Sequence, residues 1–272
     1  MNNQNLSSLI WNTADDVLRD LFKPNQYGRI ILPFIVLRRL DCVIEPKKDQ
    51  GIELYKKYKD KLNNFSEVIK SELNLPFYNI SNFDLLRIKS DPNNTYKNFS
   101  NYINGYSKNV FDIIQNFQID EFVDKLNKNK KLYSLIDKFT EIDLHPNKVD
   151  NHMMGSLYEE LLRKFSEMSN EESGDYFTPR DIVKLTISLV FEENKKKLQG
   201  EGKIRSIFDP CCGTGGMLTI GKKYINENIY KDLKIELYGQ ELNDLTYAIC
   251  KSDFLMENEN PENIQGPFTS IS

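Results

Sequence analysis

The segment Phe208-Asp209-Pro210-Cys211-Cys212-Gly213-Thr214-Gly215-Gly216-Met217-Leu218 constrains this chain more than any other. Before it, Ile204 to Phe208 is short, apolar and β-branched, the pattern of a strand. After it, Met217 to about Asn228 reads as a helix. A second strand, Ile235 to Gly239, ends at Gln240-Glu241, and a further helix covers Asp244 to Met256. Alternating strands and helices imply parallel strands joined by right-handed crossovers. In such sheets ligands lie beyond the carboxyl ends of the strands, so the turn at 209–216 is where a nucleotide-like ligand belongs. Its glycines let the backbone approach where a Cβ would collide.

Three readings of this turn compete. A dinucleotide fingerprint needs a third glycine where Leu218 stands, and a phosphate-binding loop needs Gly-Lys followed by Ser or Thr; neither is present. The third reading is a turn that needs flexible backbone and binds nothing. Asp209-Pro210 ahead of the glycines and Glu241 at the end of the second strand argue against it. A carboxylate at that strand end can accept both hydroxyls of a ribose.

The first half reads as helical. Leu6, Leu9, Ile10, Ala14, Val17, Leu18, Leu21 and Phe22 form one helical stripe. Pro24 and Gly28 punctuate the turn after it, and a second helix is expected over Ile31–Ile44. Ser66–Leu73 predicts a short helix, Asn74–Asn109 surface loops around short elements, and Val110–Phe139 helix again. Asp150 is an N-cap for a helix whose apolar face is Met153, Met154, Leu157, Tyr158, Leu161, Leu162 and Phe165. Thr178 as N-cap, Pro179 in the first turn and Asp181 completing a capping box predict a helix to about Glu193. That helix is expected to bury Ile182, Val183, Leu185, Leu189 and Val190, and a basic linker, Lys195–Lys203, to follow. The expected class is α/β: a helical domain over 1–148, then the start of a doubly wound, Rossmann-like sheet over 149–272.

The formal charge is −4, from 36 basic and 40 acidic residues. A chain that grips nucleic acid alone usually carries a basic excess, so this one either binds none or shares the grip with a partner. The four cysteines, Cys42, Cys211, Cys212 and Cys250, contain no C-x-x-C pair, and with only His145 and His152 a zinc site is not expected. Reduced thiols in a cytoplasmic protein are the simplest reading. The start, MNNQNLSSLI, lacks a basic region leading into an apolar core, and the longest apolar run, Ile30–Leu37, falls short of the ~20 residues that span a bilayer.

Asp-Pro-x-x-Gly-Thr-Gly-Gly followed by an apolar helix resembles the cofactor motif of amino-methylating DNA methyltransferases. Gly174-Asp175-Tyr176-Phe177-Thr178-Pro179-Arg180 resembles their other cofactor segment, and the helical domain ahead of it, with Ile30 to Asp41, is similar to the modification subunit of type I restriction–modification systems. The resemblance covers nearly the whole chain. It implies S-adenosyl-L-methionine as cofactor, with Asp175, Tyr176, Phe177, Thr178, Pro179 and Arg180 around its methionine end. Asp209, Gly213, Thr214, Gly215 and Gly216 would cradle its amino-acid portion, Glu241 its ribose, and Leu242 its adenine. It also implies a specificity subunit, a restriction endonuclease subunit and double-stranded DNA as partners.

One part of the family's pattern is missing. The resemblance implies an Asn-Pro-Pro-Tyr/Phe motif after a later strand, where the exocyclic amino group of a flipped adenine is held against the methylsulfonium. Neither Asn260-Pro261-Glu262-Asn263 nor Gly266-Pro267-Phe268 is such a motif. The expectation is a shortened chain with no catalytic residues of its own, inactive alone, whose first strand has an unpaired edge. Two alternatives stand beside it: a helical module or remnant without catalysis that docks a partner through the Leu6–Phe22 stripe and Arg38-Arg39, and a methyltransferase for a substrate other than DNA.

Overall fold

The computed structural model describes residues 3–169, 178–199, 204–231 and 233–267. The chain divides into two compact units, Met1–Ser169 and Asn170–Ser272. The first is helical: α1 (Asn3–Leu18), α2 (Gly28–Ile44), α3 (Lys48–Tyr58), α4 (Phe65–Leu73), α5 (Leu85–Lys89), α6 (Thr95–Asn104), α7 (Lys108–Asn116), α8 (Asp120–Lys128), α9 (Leu132–Thr140) and α10 (Asn151–Ser169). The second holds α11 (Arg180–Leu198), β1 (Ile204–Asp209), α12 (Gly216–Asn228), β2 (Lys234–Gln240), α13 (Asp244–Met256) and β3 (Ile264–Gln265).

In the first unit α2 is the central rod. It is apolar nearly all round and almost wholly buried, as a helix without a polar face must be. Phe34 stacks on Phe99 of α6 at 5.6 Å and tilts against Phe139 of α9 at 5.4 Å. The α1 stripe is core: Leu6, Ile10, Ala14, Val17, Leu18 and Phe22 are buried, and Leu9 is exposed. Arg38 and Arg39 do not form a docking patch. Both are buried: Arg38 Nε donates to the Ile142 carbonyl at 2.7 Å, and Arg39 donates to the carbonyls of Leu144 and Val149 and to Asn151 Oδ1. The pair therefore clamps the segment that leads into α10, so the basic residues act inward.

Asp150 caps α10, accepting from Met153 N at 2.8 Å. The expected face of α10 is buried except for Met153, which is half-buried. By packing α10 lies in the first compact unit, which ends at Ser169. Phe165 lies 5.5 Å from Trp11, and its ring is 3.0 Å from where a Cβ on Gly28 would stand. The loops expected over Asn74–Asn109 contain α5 and α6. The polar sequence of α6 is drawn into helix by burial of Phe99, Tyr102 and Ile103, a tertiary effect that overrides weak propensity. Val110–Phe139 is not continuous: Gln118 (φ 53°) and Lys130 (φ 58°) turn left-handed and separate α7, α8 and α9.

In the second unit the strands run parallel in the order β1-β2-β3, with Ile204 opposite Lys234 and Asp209 opposite Gly239. One face is covered: Ile235 and Leu237 pack with Leu218 and Ile225 of α12 and Phe254 of α13. The other is open, with Ile204, Phe208 and Tyr238 exposed, and β1 is an edge strand among the described residues.

Two expectations about α11 are corrected. It buries Val183, Ile187 and Leu198, while Ile182, Leu185, Leu189 (63 % exposed) and Val190 face outward. It also starts at Arg180, with Pro179 as an uncapped N-cap, so no capping box forms through Thr178. The helix runs on to Leu198 and takes in Lys195, Lys196 and Lys197, which suit the negative end of the helix dipole. Among the described residues no helix is long and apolar enough to cross a membrane.

Candidate functional site

The turn after β1 is built by its own residues. Asp209 Oδ1 accepts from Cys211 N at 3.0 Å, folding the chain back at the strand end. Cys212 N donates to the Gln240 carbonyl at 2.9 Å, tying the turn to β2, and Gly215 N donates to the Cys212 carbonyl at 2.8 Å. Gly213 (φ 54°) and Gly215 (φ 86°) are both left-handed, which a side chain resists. They differ in surroundings. Nothing lies within 4 Å of where a Gly213 Cβ would stand, so that backbone opens on free space. A Cβ on Gly215 would come within 2.8 Å of Cys250 Sγ. Gly216 begins α12, and Thr214 is half-buried beside it.

Glu241 closes the site from β2. Its Oε2 accepts from Gly213 N at 2.7 Å and its Oε1 from Asn243 N at 2.7 Å. The structure thus brings Asp209, Gly213, Thr214, Gly215, Gly216 and Glu241 together. Leu242, 62 % exposed, stands next to the acid. The arrangement offers an open glycine backbone at a helix N-terminus, where partial positive charge favours a carboxylate. Beside it a two-oxygen acceptor is held in one orientation with lone pairs left for hydroxyls.

In the upstream segment Asp175, Tyr176 and Phe177 lie outside the described residues. Thr178 and Pro179 are exposed. The charge of Arg180 acts on Glu257, just past α13: burial raises the Glu257 carboxyl above its usual range, and Lys222 and Arg180 pull against that rise. Among the described residues no group of His, Cys, Asp and Glu is placed to hold a metal ion.

Three supporting residues escaped the sequence reading. Gly239 lets the turn lie on β2, since a Cβ there would stand 2.8 Å from Cys212 Sγ. Asn243 caps α13, accepting from Leu245 N at 2.9 Å and Thr246 N at 3.1 Å. Gly266 (φ 139°) passes so close to the Glu241 carbonyl that a Cβ would overlap it. Asn243 carried a legible signal as a capping residue ahead of an apolar run; the two glycines carried none.

Comparison with known proteins matches residues 149–269 to a family model described as N-6 DNA Methylase and residues 6–139 to one described as HsdM N-terminal domain. A relative from Methanocaldococcus jannaschii, the type I restriction enzyme MjaIX methylase subunit, is 25 % identical over 258 residues, 91 % of this chain and 44 % of its own. The type I restriction enzyme EcoEI methylase subunit of Escherichia coli is 30 % identical over 131 residues, 46 % of this chain and 24 % of its own. The chain thus spans less than half the length of either relative. The crystal structure of a type I restriction-modification system methyltransferase subunit from Streptococcus thermophilus shares the fold, with a TM-score of 0.68 at 20 % identity over 97 % of this chain and 58 % of that one.

Proposed function

Because the chain belongs to the methylase subunits of type I restriction–modification systems, we propose that it binds S-adenosylmethionine across the carboxyl ends of β1 and β2, in the service of methyl transfer to the exocyclic amino group of adenine in DNA. The observation that supports this most is the carboxylate of Glu241 held 2.7 Å from Gly213 N, which joins the two halves of the site. The fit is one of shape as well as charge, since the space before Gly213 is what a Cβ would begin to fill. In this reading Glu241 accepts the ribose hydroxyls, Leu242 lies along the adenine, and the α12 N-terminus with Gly213–Gly216 receives the amino-acid end. Thr178, Pro179 and Arg180, with Asp175, Tyr176 and Phe177, bound its methionine end. The bound cofactor supplies an electrophilic methyl on sulfur; the protein orients it.

Residues 1–272 contain no Asn-Pro-Pro-Tyr/Phe segment, and Asn260-Pro261-Glu262-Asn263 is a short 3₁₀ turn in which Asn260 accepts from Glu262 N at 3.1 Å. In this reading the 272 residues carry the cofactor half, the adenine half comes from outside them, and alone they do not transfer methyl groups. A specificity subunit, an endonuclease subunit and duplex DNA complete the assembly in the cytoplasm. Calorimetric titration with S-adenosylmethionine tests the binding step. Binding that Glu241→Ala weakens about tenfold or more supports the reading; binding indifferent to Glu241→Ala and Gly213→Val refutes the site. Tritiated methyl incorporated into DNA by the 272 residues with a specificity subunit would refute their inactivity.

A further inference from the structure

The helical unit holds a charged cavity, and the cofactor reading uses none of its residues. The cavity has a volume of about 160 Å³. Its charged lining is Arg38 and Asp41 on α2, Glu45 just past that helix, Lys48 at the head of α3, and Asp84 and Arg87 at α5. A cavity of about 150 Å³ admits a ligand of benzene's size, so a small molecule fits here and not merely a single water. Arg38, Asp41, Glu45 and Lys48 follow one another at intervals of three and four residues, which keeps them on one side of the chain as it passes from α2 into α3.

Most of these groups are already matched. Asp41 accepts from Leu85 N at 2.9 Å, from Tyr102 Oη at 2.8 Å and from Tyr106 Oη at 3.3 Å. Asp84 accepts from Arg87 N at 2.7 Å and pairs with Arg87 Nε at 3.2 Å. The rest of the Arg87 guanidinium is spent on Asp49 and the Asn82 carbonyl.

Two buried cations are not fully matched. Arg38 is 7 % exposed and Lys48 2 %. Arg38 Nε donates to the Ile142 carbonyl, while its two terminal nitrogens have no hydrogen-bond partner among the described residues. Neither nitrogen is sealed in the core as an unsatisfied donor. They therefore keep access to solvent, and the cavity is the opening that Arg38 lines. Lys48 Nζ gives one of its three N–H groups to the Phe83 carbonyl at 2.6 Å and lies 5.8 Å from the centre of the Tyr102 ring.

We propose that this cavity binds a small oxyanion, a carboxylate or a phosphate, with Arg38 and Lys48 as its donors. Among the buried charges of the lining these two cations outnumber Asp41, and the groups left without partners are donors. An oxyanion supplies the acceptors they lack, through charge-assisted bonds about twice as strong as neutral ones. The planar guanidinium matches carboxylate and phosphate alike, so the shared chemistry is that of a delocalised oxyanion. A cationic ligand would face those two donors and find Asp41 and Asp84 already bonded. Glu45 is exposed at the cavity and opposes an anion, which makes it the residue that holds affinity down.

The test titrates the 272-residue chain by calorimetry with inorganic phosphate in one arm and malonate in the other. Both arms are run at pH 7 and at an ionic strength matched with chloride. Lys48, pushed down to about 8 by burial, is still cationic there. Saturable one-to-one binding in either arm, with an unfolding midpoint that rises with ligand concentration, is the expected result. The arm that saturates at lower concentration identifies carboxylate or phosphate as the source. Lys48→Met should weaken binding about tenfold. Glu45→Lys, a change at an exposed position that leaves folding intact, should tighten it several-fold, and it decides the matter if Lys48→Met does not fold. Heats that never saturate in both arms overturn the site. Saturable binding whose affinity is the same in Glu45→Lys as in the parent chain places the anion elsewhere and overturns it too.

Discussion

Glu241 Oε2 and Gly213 N lie 2.7 Å apart, although 28 residues separate them in the chain. This bond makes one site out of two loops. It also sets the Gly213 backbone at the front of the site, while Gly215 faces the core.

That division separates two substitutions that look equivalent on paper. Gly213→Ala pays only for its left-handed φ, roughly 1–2 kcal/mol, because the space around it is open. Gly215→Ala meets the same backbone strain and also presses on Cys250 Sγ. Urea denaturation should show the second variant clearly less stable than the first. Cofactor titration should show Gly213→Ala impaired while still folded.

The buried Asp41 makes stability depend on pH in an unusual direction. Its carboxylate accepts from Leu85 N at 2.9 Å and Tyr102 Oη at 2.8 Å, yet burial raises its pKa to about 6. The folded state therefore binds a proton that the unfolded chain still lacks. Stability rises as pH falls from about 7.5 to about 5, by on the order of 1 kcal/mol. Asp15 is lowered by its bond to Arg19 and Asp143 by its bond to Lys148, so both stay charged across that window and are lost only in stronger acid. Lys48, pushed down to about 8 by burial, adds stability as pH climbs from there toward 10.5. Urea midpoints against pH check this, and Asp41→Asn should flatten the slope between neutral pH and about 5.

Arg39 reaches the Val149 carbonyl at 2.6 Å and Asn151 Oδ1 at 2.8 Å, besides the Leu144 carbonyl. Truncation to Ala leaves buried acceptors without donors, and the expected loss is about 3 kcal/mol or more. Arg39→Lys should recover only part of it, since a single ammonium cannot reproduce the guanidinium fork. Thermal and urea unfolding of both variants measure the difference.

On α11 the two apolar faces should respond differently. Ile187 is buried, and Ile187→Ala should cost about 2–4 kcal/mol. Leu189 is exposed, and Leu189→Ser should change stability by no more than about 0.5 kcal/mol. Equal losses would mean that the outward face of α11 is covered in solution.

The sequence by itself determined the strand–turn–helix at 204–228, the acid at the end of the second strand, the helical first half and the family resemblance. Those features rest on local chemistry: glycines where φ is positive, an Asp that folds back on its own backbone, apolar residues at the period of their element. What only the tertiary structure decided is which groups meet. Arg38 and Arg39 look like a surface pair in sequence, and they became internal clamps because unpaired carbonyls at 142, 144 and 149 lie against α2. Ile182, Leu185, Leu189 and Val190 look like a buried face, and they stand exposed because periodicity tells that a helix has an apolar side without telling what covers it. The polar stretch at 95–104 folds because Phe99 finds Phe34, a contact 65 residues away that no local pattern contains. Cys212 and Cys250 share this history: 38 residues apart in the chain, they enter one buried apolar cluster because parallel pairing brings the β1 turn and α13 to the same end of β2.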